Sequence, residues 1–439
     1  MTEILVPAMF VALLVSFLMG YPVAFTLGGL SVIFGLATFG YDFFTILPMR
    51  MWSRMNSFTM VAVPLFIFMG VMLQRTGIAE ELLDSMAGLF GRVRGGLAVS
   101  VVLVGALLAA TTGIIAATVV AMGVISLPLM LQRGYKAELA TGTICASGTL
   151  CQIIPPSLAL VLLGDVIGVP VGALFAGAFI PGVILVGLYV LFILIKAFVR
   201  PDVAPSHIDT HNSAINRKQL ALRTAKAIIP PGFLIVAVLG TIFFGIASPT
   251  ESAAMGSLGA VILSLAKRNF CISLLKEVMY TTTSLCSMAF LILLGAASFG
   301  LVFRGIGGDE VTKQFLLGMG GGPWGVLALI VIIIFLLGFF LDWIEITFIV
   351  IPIIAPIIKE VGFDPVWFSI LICISFQCSF LTPPFGFALF FLKGVAPEGV
   401  TVAHMYRGVI PFIVLQIIGL MIVMFFPSLA TWLPRVMFG

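Results

Sequence analysis

Gln152-Ile153-Ile154-Pro155-Pro156-Ser157 and Phe380-Leu381-Thr382-Pro383-Pro384-Phe385-Gly386 each set a Pro-Pro pair inside hydrophobic sequence. Proline lacks an amide hydrogen and clashes with the preceding turn, so such a pair interrupts a helix and frees backbone carbonyls and amides. The surrounding chain is 61% hydrophobic and 9% charged, with a mean hydropathy of +1.25. A soluble domain carries roughly a quarter of its residues charged. Nearly charge-free runs at 4–18, 98–110, 180–195, 228–246, 326–341 and 409–426 approach the ~20 residues with which a helix crosses the hydrocarbon core. At roughly 30–35 residues per span and connection, on the order of a dozen crossings or hairpin arms are expected. The alternating decamers of an outer-membrane barrel are missing, so the expected fold is an all-α polytopic membrane protein. The first apolar run has neither a basic leader nor a small-residue cleavage site and reads as a span.

The apolar composition implies a lipid bilayer as surroundings, and the formal charge of +4 is small, with no nucleic-acid partner expected. The placement of that charge says more. Arg217, Lys218, Arg223 and Lys226 lie in the longest polar stretch, and Lys267, Arg268 and Lys276 mark a second basic loop two spans later. An even number of crossings puts both loops on one side, and basic loops mark that side as the cytoplasm. The six cysteines, Cys145, Cys151, Cys271, Cys286, Cys373 and Cys378, lie in or beside apolar runs without metal-site spacing and read as small hydrophobes. Only His207, His211 and His404 are present, and neither His-Glu-x-x-His nor Gly-x-Ser-x-Gly occurs, so an enzyme is not expected. The glycine clusters at 305–308 and 318–322 lack a phosphate-loop arrangement.

The two Pro-Pro pairs stand 228 positions apart. At that offset Pro128 meets Pro356, Gly134 meets Gly362, Ile144 meets Ile372, Cys145 meets Cys373 and Ser147 meets Ser375; seven of the 29 positions from Pro128 to Pro156 are identical. About two would match by chance at typical residue frequencies. The chain reads as a tandem duplication, with the polar 201–226 segment as the linker between halves. If an odd number of crossings separates equivalent points, the halves are inverted.

Unpaired backbone at membrane depth persists only where it lines a cavity or is otherwise satisfied. Freed carbonyls suit a hard cation such as sodium, and half-helix N-termini suit a carboxylate. Thr149 and Ser157 beside the first break, and Ser379 and Thr382 beside the second, add neutral oxygens. The plainer alternative for each pair is a packing kink. Working back from the first break, the hydroxyl-rich stretch 111–118 has the form of a re-entrant tip, and the offset carries it to 339–346, where Asp342 and Glu345 interrupt an apolar run. An acid at membrane depth is a functional candidate by default. Asp342 is therefore expected in a cation site, with a helix cap or an interfacial position as alternatives. Glu251, three residues after Ser248, reads instead as part of a helix start. Arg50, Trp52 and Arg54 suit an interfacial amphipathic helix, as does 80–94.

These motifs resemble the large membrane subunit of tripartite ATP-independent periplasmic transporters, the DctM family. The resemblance is carried by Gly20-Tyr21-Pro22-Val23-Ala24, Gly148-Thr149 with Ile154-Pro155-Pro156-Ser157, Pro249-Thr250-Glu251-Ser252-Ala253-Ala254, Phe340-Leu341-Asp342, Thr382-Pro383-Pro384-Phe385-Gly386 and the closing 426–434 run, in that order. It implies an elevator-type carrier, like others of the ion transporter superfamily, built from two inverted repeats, each with a re-entrant hairpin and a broken helix. The expected segments are scaffold at 1–94, first-repeat transport elements at 95–200 (tip 111–118, broken helix 148–157), a cytoplasmic linker at 201–226, second scaffold at 227–322, and second-repeat transport elements at 323–439 (tip 339–347, broken helix 379–386).

It further implies sodium-coupled uptake of an organic acid across the bacterial inner membrane, without an organic cofactor. The implied partners are a small four-span membrane subunit (DctQ-like) and a periplasmic substrate-binding protein (DctP-like). Spacing and resemblance together place substrate at Thr112, Gly113, Thr118, Pro155, Pro156, Ser157, Thr382, Pro384 and Gly386. They place sodium at Thr111, Thr112, Gly113, Gly148 and Thr149 on one side and Gly338, Asp342, Thr347, Ser379, Thr382 and Pro383 on the other. Where the family often shows Ser-Gly-Ser at the first tip, this chain has Thr112-Gly113-Ile114, and at the second it has Asp342-Trp343-Ile344-Glu345. That tip and Cys151-Gln152-Ile153-Ile154 look like the mannitol, chloroaromatic or 2-oxo-acid branch. A stand-alone permease of the arsenite or citrate kind is the alternative.

Overall fold

A computed structural model describes residues 2–90, 93–205, 217–318 and 321–439. Among them the chain is helical with no strand. The first half runs α1 (Thr2–Leu18), α2 (Val23–Phe39), α3 (Phe43–Met55), α4 (Phe58–Arg75), α5 (Ile78–Phe90), α6 (Gly96–Thr112), α7 (Ile115–Gln132), α8 (Ala137–Thr149), α9 (Leu158–Ile167) and α10 (Val171–Val199). The second runs α11 (Arg217–Phe243), α12 (Pro249–Ala266), α13 (Ile272–Gly305), α14 (Gly308–Gly318), α15 (Gly322–Leu337), α16 (Trp343–Ile349), α17 (Ile351–Val361), α18 (Pro365–Leu381), α19 (Phe387–Lys393), α20 (Val402–Phe425) and α21 (Ser428–Phe438). Seven helices among the described residues are long and apolar enough to cross a membrane. Shorter apolar helices within α1, α6, α9 and α18, and the pair α14–α15 bent by 115°, supply the remaining arms.

Helix boundaries repeat at the spacing of the Pro-Pro pairs. α7 and α16 begin at Ile115 and Trp343, and α8 and α18 at Ala137 and Pro365, in each case 228 residues apart. The long α13, about 50 Å at 1.5 Å per residue, occupies the stretch that α3 and α4 divide between them in the first half. The halves interlock: α8 packs on α20 and α10 on α18, while α4 packs on α12 and α2 on α13. Glycine permits the closest of these contacts. A Cβ on Gly142 would lie 2.2 Å from the Gly408 carbonyl oxygen, and one on Gly408 would lie 2.1 Å from that of Glu138, so α8 and α20 touch backbone to backbone.

The linker is shorter than its composition implied, because Arg217 to Lys226 already belong to α11. Ahead of it, the Gly95 amide donates to the Ala204 carbonyl (3.2 Å), the Lys136 amide to that of Val203 (3.1 Å), and the Lys136 ammonium to Asp202 (2.7 Å), tying the base of the first hairpin to the start of α8. His207 and His211 lie outside the described residues. Ser248 and Glu251 form the expected reciprocal cap at the start of α12.

Candidate functional site

Both tips are turns between helices, narrower than the sequence suggested. α6 ends at Thr112, Gly113 adopts a left-handed conformation (φ 62°), Ile114 is extended, and α7 begins. Only glycine adopts such a φ without steric cost, which allows so short a reversal. The repeat equivalent of Gly113 is Leu341, and the second tip accordingly takes a longer turn, 338–342, before α16. Thr118 and Thr347, expected at the tips, lie instead within α7 and α16. Likewise the breaks start later than expected: α8 continues through Thr149 into a 3-10 turn, Leu150–Gln152, and α18 continues to Leu381. Gly148 and Ser379 are thus helical. The Pro155–Pro156 and Pro383–Pro384 bonds are both cis.

Each tip rests on a break. A Cβ on Gly113 would lie 3.2 Å from Leu158 Cβ, at the head of α9 just past Pro155, Pro156 and Ser157. A Cβ on Gly338 would meet Ser379 Oγ at 2.2 Å. Between the tips lies a cavity of about 310 Å³, walled by Ile114, Ile115 and Ala116 of the first and Asp342, Trp343, Ile344 and Glu345 of the second. Leu158, Phe380, Phe387 and Phe391 continue the wall from the broken helices. The opposite side is Ile67 of α4 with Leu285, Met288, Ala289 and Ile292 of α13, all apolar.

Of the places expected for Asp342, the structure shows the helix cap. It caps α16, with its Oδ1 accepting from the Trp343 amide (2.9 Å), while Glu345 Oε2 accepts from the Asp342 amide (3.0 Å) to complete a reciprocal box. Both residues also face the cavity.

Most hydroxyls near the tips donate to carbonyls of their own helices, which leaves their oxygen lone pairs for a cation. Thr112 and Thr118 share a hydrogen bond (2.7 Å), and whichever hydroxyl accepts in it donates to a carbonyl of its own turn, Leu108 at 2.9 Å from Thr112 or Ile114 at 3.1 Å from Thr118. Gly148 packs on Val119, beside Thr118. The Thr111 side chain lies outside the described residues. Thr149 is held on the other side, accepting from Gln416 Nε2 of α20 (3.1 Å). Ser157 donates to the Gln152 carbonyl (2.8 Å). In the second half Ser379 donates to Phe376 (2.9 Å) and Thr382 to Cys378 (2.6 Å). The Thr382 carbonyl accepts from the Gly386 amide (3.1 Å), and the Pro384 carbonyl from the Tyr406 hydroxyl (3.0 Å). Pro383 lies between these two bonded groups.

Several buried polar atoms have no hydrogen-bond partner among the described residues: both amide atoms of Gln152, both of Gln377, and Thr347 Oγ1. Each such group costs about 1–3 kcal/mol unless something completes it. From sequence neither glutamine is assigned a binding role, although Gln377 is the repeat equivalent of Thr149. Among the described residues no three His, Cys, Asp or Glu side chains converge. A cation here would be held by hydroxyl, amide and backbone oxygens with Asp342, a donor set that suits a hard ion.

Residues 10–429 match the family described as "Tripartite ATP-independent periplasmic transporter, DctM component". The C4-dicarboxylate TRAP transporter large permease protein DctM of Pseudomonas aeruginosa is 29% identical over 93% of each chain. The ectoine/5-hydroxyectoine large permease UehC of Ruegeria pomeroyi is 30% identical over 98% of this chain and 99% of its own. The sialic acid large permease SiaM of Vibrio cholerae is 28% identical over 96% of each. Among solved structures, the YdaH transporter of Alcanivorax borkumensis shares the fold with a TM-score of 0.62, at 15% identity over 97% of this chain and 99% of that one.

Proposed function

This chain belongs to the DctM family of tripartite ATP-independent periplasmic transporters, and on that premise we propose that it drives uptake of a small organic acid with an inward flow of sodium by an elevator movement. Its class follows from membership: a large permease subunit, multi-pass in the bacterial inner membrane, and a transporter protein in place of an enzyme. A tripartite family implies two further components, a small membrane subunit and a periplasmic binding protein.

One observation carries the proposal. Two hairpin tips and two broken helices from opposite halves meet around a single cavity that holds Asp342 and Glu345. Sodium is assigned to two oxygen-rich clusters beside the cavity, of whose residues Asp342 alone lines it. One comprises Thr111, Thr112, Gly113, Gly148 and Thr149; the other comprises Gly338, Asp342, Thr347, Ser379, Thr382 and Pro383. The substrate carboxylate is assigned to the space between them, near Thr112, Gly113, Thr118, Pro155, Pro156, Ser157, Thr382, Pro384 and Gly386. The start of α9 at Leu158 presents unpaired amides there. Relatives named for C4-dicarboxylate and sialic acid support an organic-acid substrate. The elevator reading is supported by the apolar wall that α4 and α13 present to the cavity; outside it, Gln74 Nε2 of α4 donates to the Ala117 carbonyl in the first turn of α7 (3.2 Å).

Two sodium ions entering with one monocarboxylate move one net positive charge inward. Each sodium contributes about 2.3 kcal/mol per 100 mV, roughly 4.6 for two, and the carboxylate entering against the potential takes back about 2.3 of that. The test is uptake into proteoliposomes carrying this chain with its small subunit, supplied with radiolabelled 2-oxo acids and C4-dicarboxylates. Accumulation is expected only with both an inward sodium gradient and the binding protein. Accumulation that ignores sodium would sink the coupling, and accumulation without the binding protein would favour a stand-alone permease.

A further inference from the structure

Arg50 and Arg54 of α3 and Arg304 of α13 line one cavity, together with Asp309 of α14 and Pro352 and Ile353 of α17. Arg54 and Arg304 act on Arg50 as like charges, so three cations stand together, offset in part by two aspartates. Asp165 lies 3.7 Å from Arg54 and also accepts from Ser57 (2.6 Å). Among the described residues neither Arg50 nor Arg304 has an ion-pair partner. Arg50 Nε is buried without a hydrogen-bond partner, as is Asp309 Oδ1. Arg304 Nε reaches the Gly300 carbonyl (3.1 Å). Even with both aspartates counted, the balance stays positive.

Ile353 also lines a second space, an apolar groove of about 330 Å³ between α1, α14, α15 and α17, bounded by Phe10, Phe315, Ile333 and Leu337. The charged cavity and the groove thus share a residue and two helices. Arg54 and Arg304 each lie one residue before the end of their helix, and Trp52 beside them is exposed, which is the pattern of a headgroup level. We propose that one anionic phospholipid binds here, its phosphate on the three arginines and an acyl chain in the groove. It would join α1, α3 and α13 to the second hairpin. A soluble anion would satisfy the arginines but has no use for the groove, and a guanidinium cluster matches a phosphate better than an ammonium would.

The test uses the full chain, stripped of lipid in detergent and offered phosphatidylglycerol, phosphatidylcholine or inorganic phosphate. Native mass spectrometry counts retained lipid, and the thermal unfolding midpoint is followed in parallel. Wild type is expected to retain one phosphatidylglycerol and gain stability from it, but not from phosphatidylcholine or phosphate. Arg50→Gln with Arg304→Gln is expected to lower that retention at least about tenfold and abolish the gain. Arg268→Gln, in another loop, should change neither. Equal retention of the two lipids by wild type, undiminished phosphatidylglycerol on the double variant, or equal stabilisation by inorganic phosphate would each overturn the proposal. If the double variant does not fold, Ile333→Trp decides: it fills the groove and spares the arginines, and unchanged retention there overturns the proposal too.

Discussion

At position 342 one carboxylate closes the first turn of α16 and also faces the cavity. The two duties separate by substitution. Asparagine caps a helix about as well as aspartate, whereas alanine gives up roughly 0.5–2 kcal/mol. Asp342→Asn should therefore unfold near the wild-type midpoint, and Asp342→Ala should be less stable by about 1 kcal/mol; equal destabilisation of both would remove the cap as a distinct role. That an acid stood at membrane depth was plain from sequence, because a charge in an apolar run violates the local pattern. That Gln152 and Gln377 leave whole amides unpartnered was not, since an amide is a smaller departure and its satisfaction depends on neighbours from other helices.

At the scale of elements, the two tips show how one residue changes a turn. Gly113 reverses the chain through a left-handed conformation and Leu341 cannot, so the second tip lengthens and takes up the Asp342–Glu345 cap. Gly113→Ala would strain φ and bring a Cβ to 3.2 Å from Leu158. A loss of about 1–2 kcal/mol in thermal stability is expected, the cost of the left-handed region for a residue with a Cβ; an unchanged midpoint would mean that the tip relaxes freely. Gly142→Ala and Gly408→Ala should each cost about 1–3 kcal/mol or more, because the obstructing atoms are backbone carbonyls. The breaks were legible because proline leaves a fixed signature. The exact ends were not: Thr149 and Leu381 remain helical because their hydrogen bonds are supplied by residues upstream of the prolines.

For the whole molecule, the 228-residue offset predicted the correspondence that helix starts display, while the interlocking of α8 with α20 and α10 with α18 had no sequence signal. Inverted halves make a sharp expectation for sidedness. Gln132 and Glu360 are repeat equivalents, both exposed at the ends of α7 and α17. In a Cys271→Ser background, which removes the exposed native thiol, Gln132→Cys and Glu360→Cys should react with an impermeant maleimide from opposite faces of oriented vesicles. Labelling from one face would mean parallel repeats.

Sodium binding at the cavity between the tips tests the mechanism most directly, because it needs neither a partner nor a known substrate. The purified chain is titrated with sodium chloride at constant ionic strength against choline, and its unfolding midpoint is recorded. A ligand that binds only the folded state stabilises it by about 2.7 kcal/mol at one hundred times its dissociation constant. The wild-type midpoint should climb with sodium, and that of Asp342→Asn should need at least about tenfold more, the equivalent of about 1.4 kcal/mol. A flat wild-type curve, or an identical climb in the variant, would contradict a sodium site that uses Asp342.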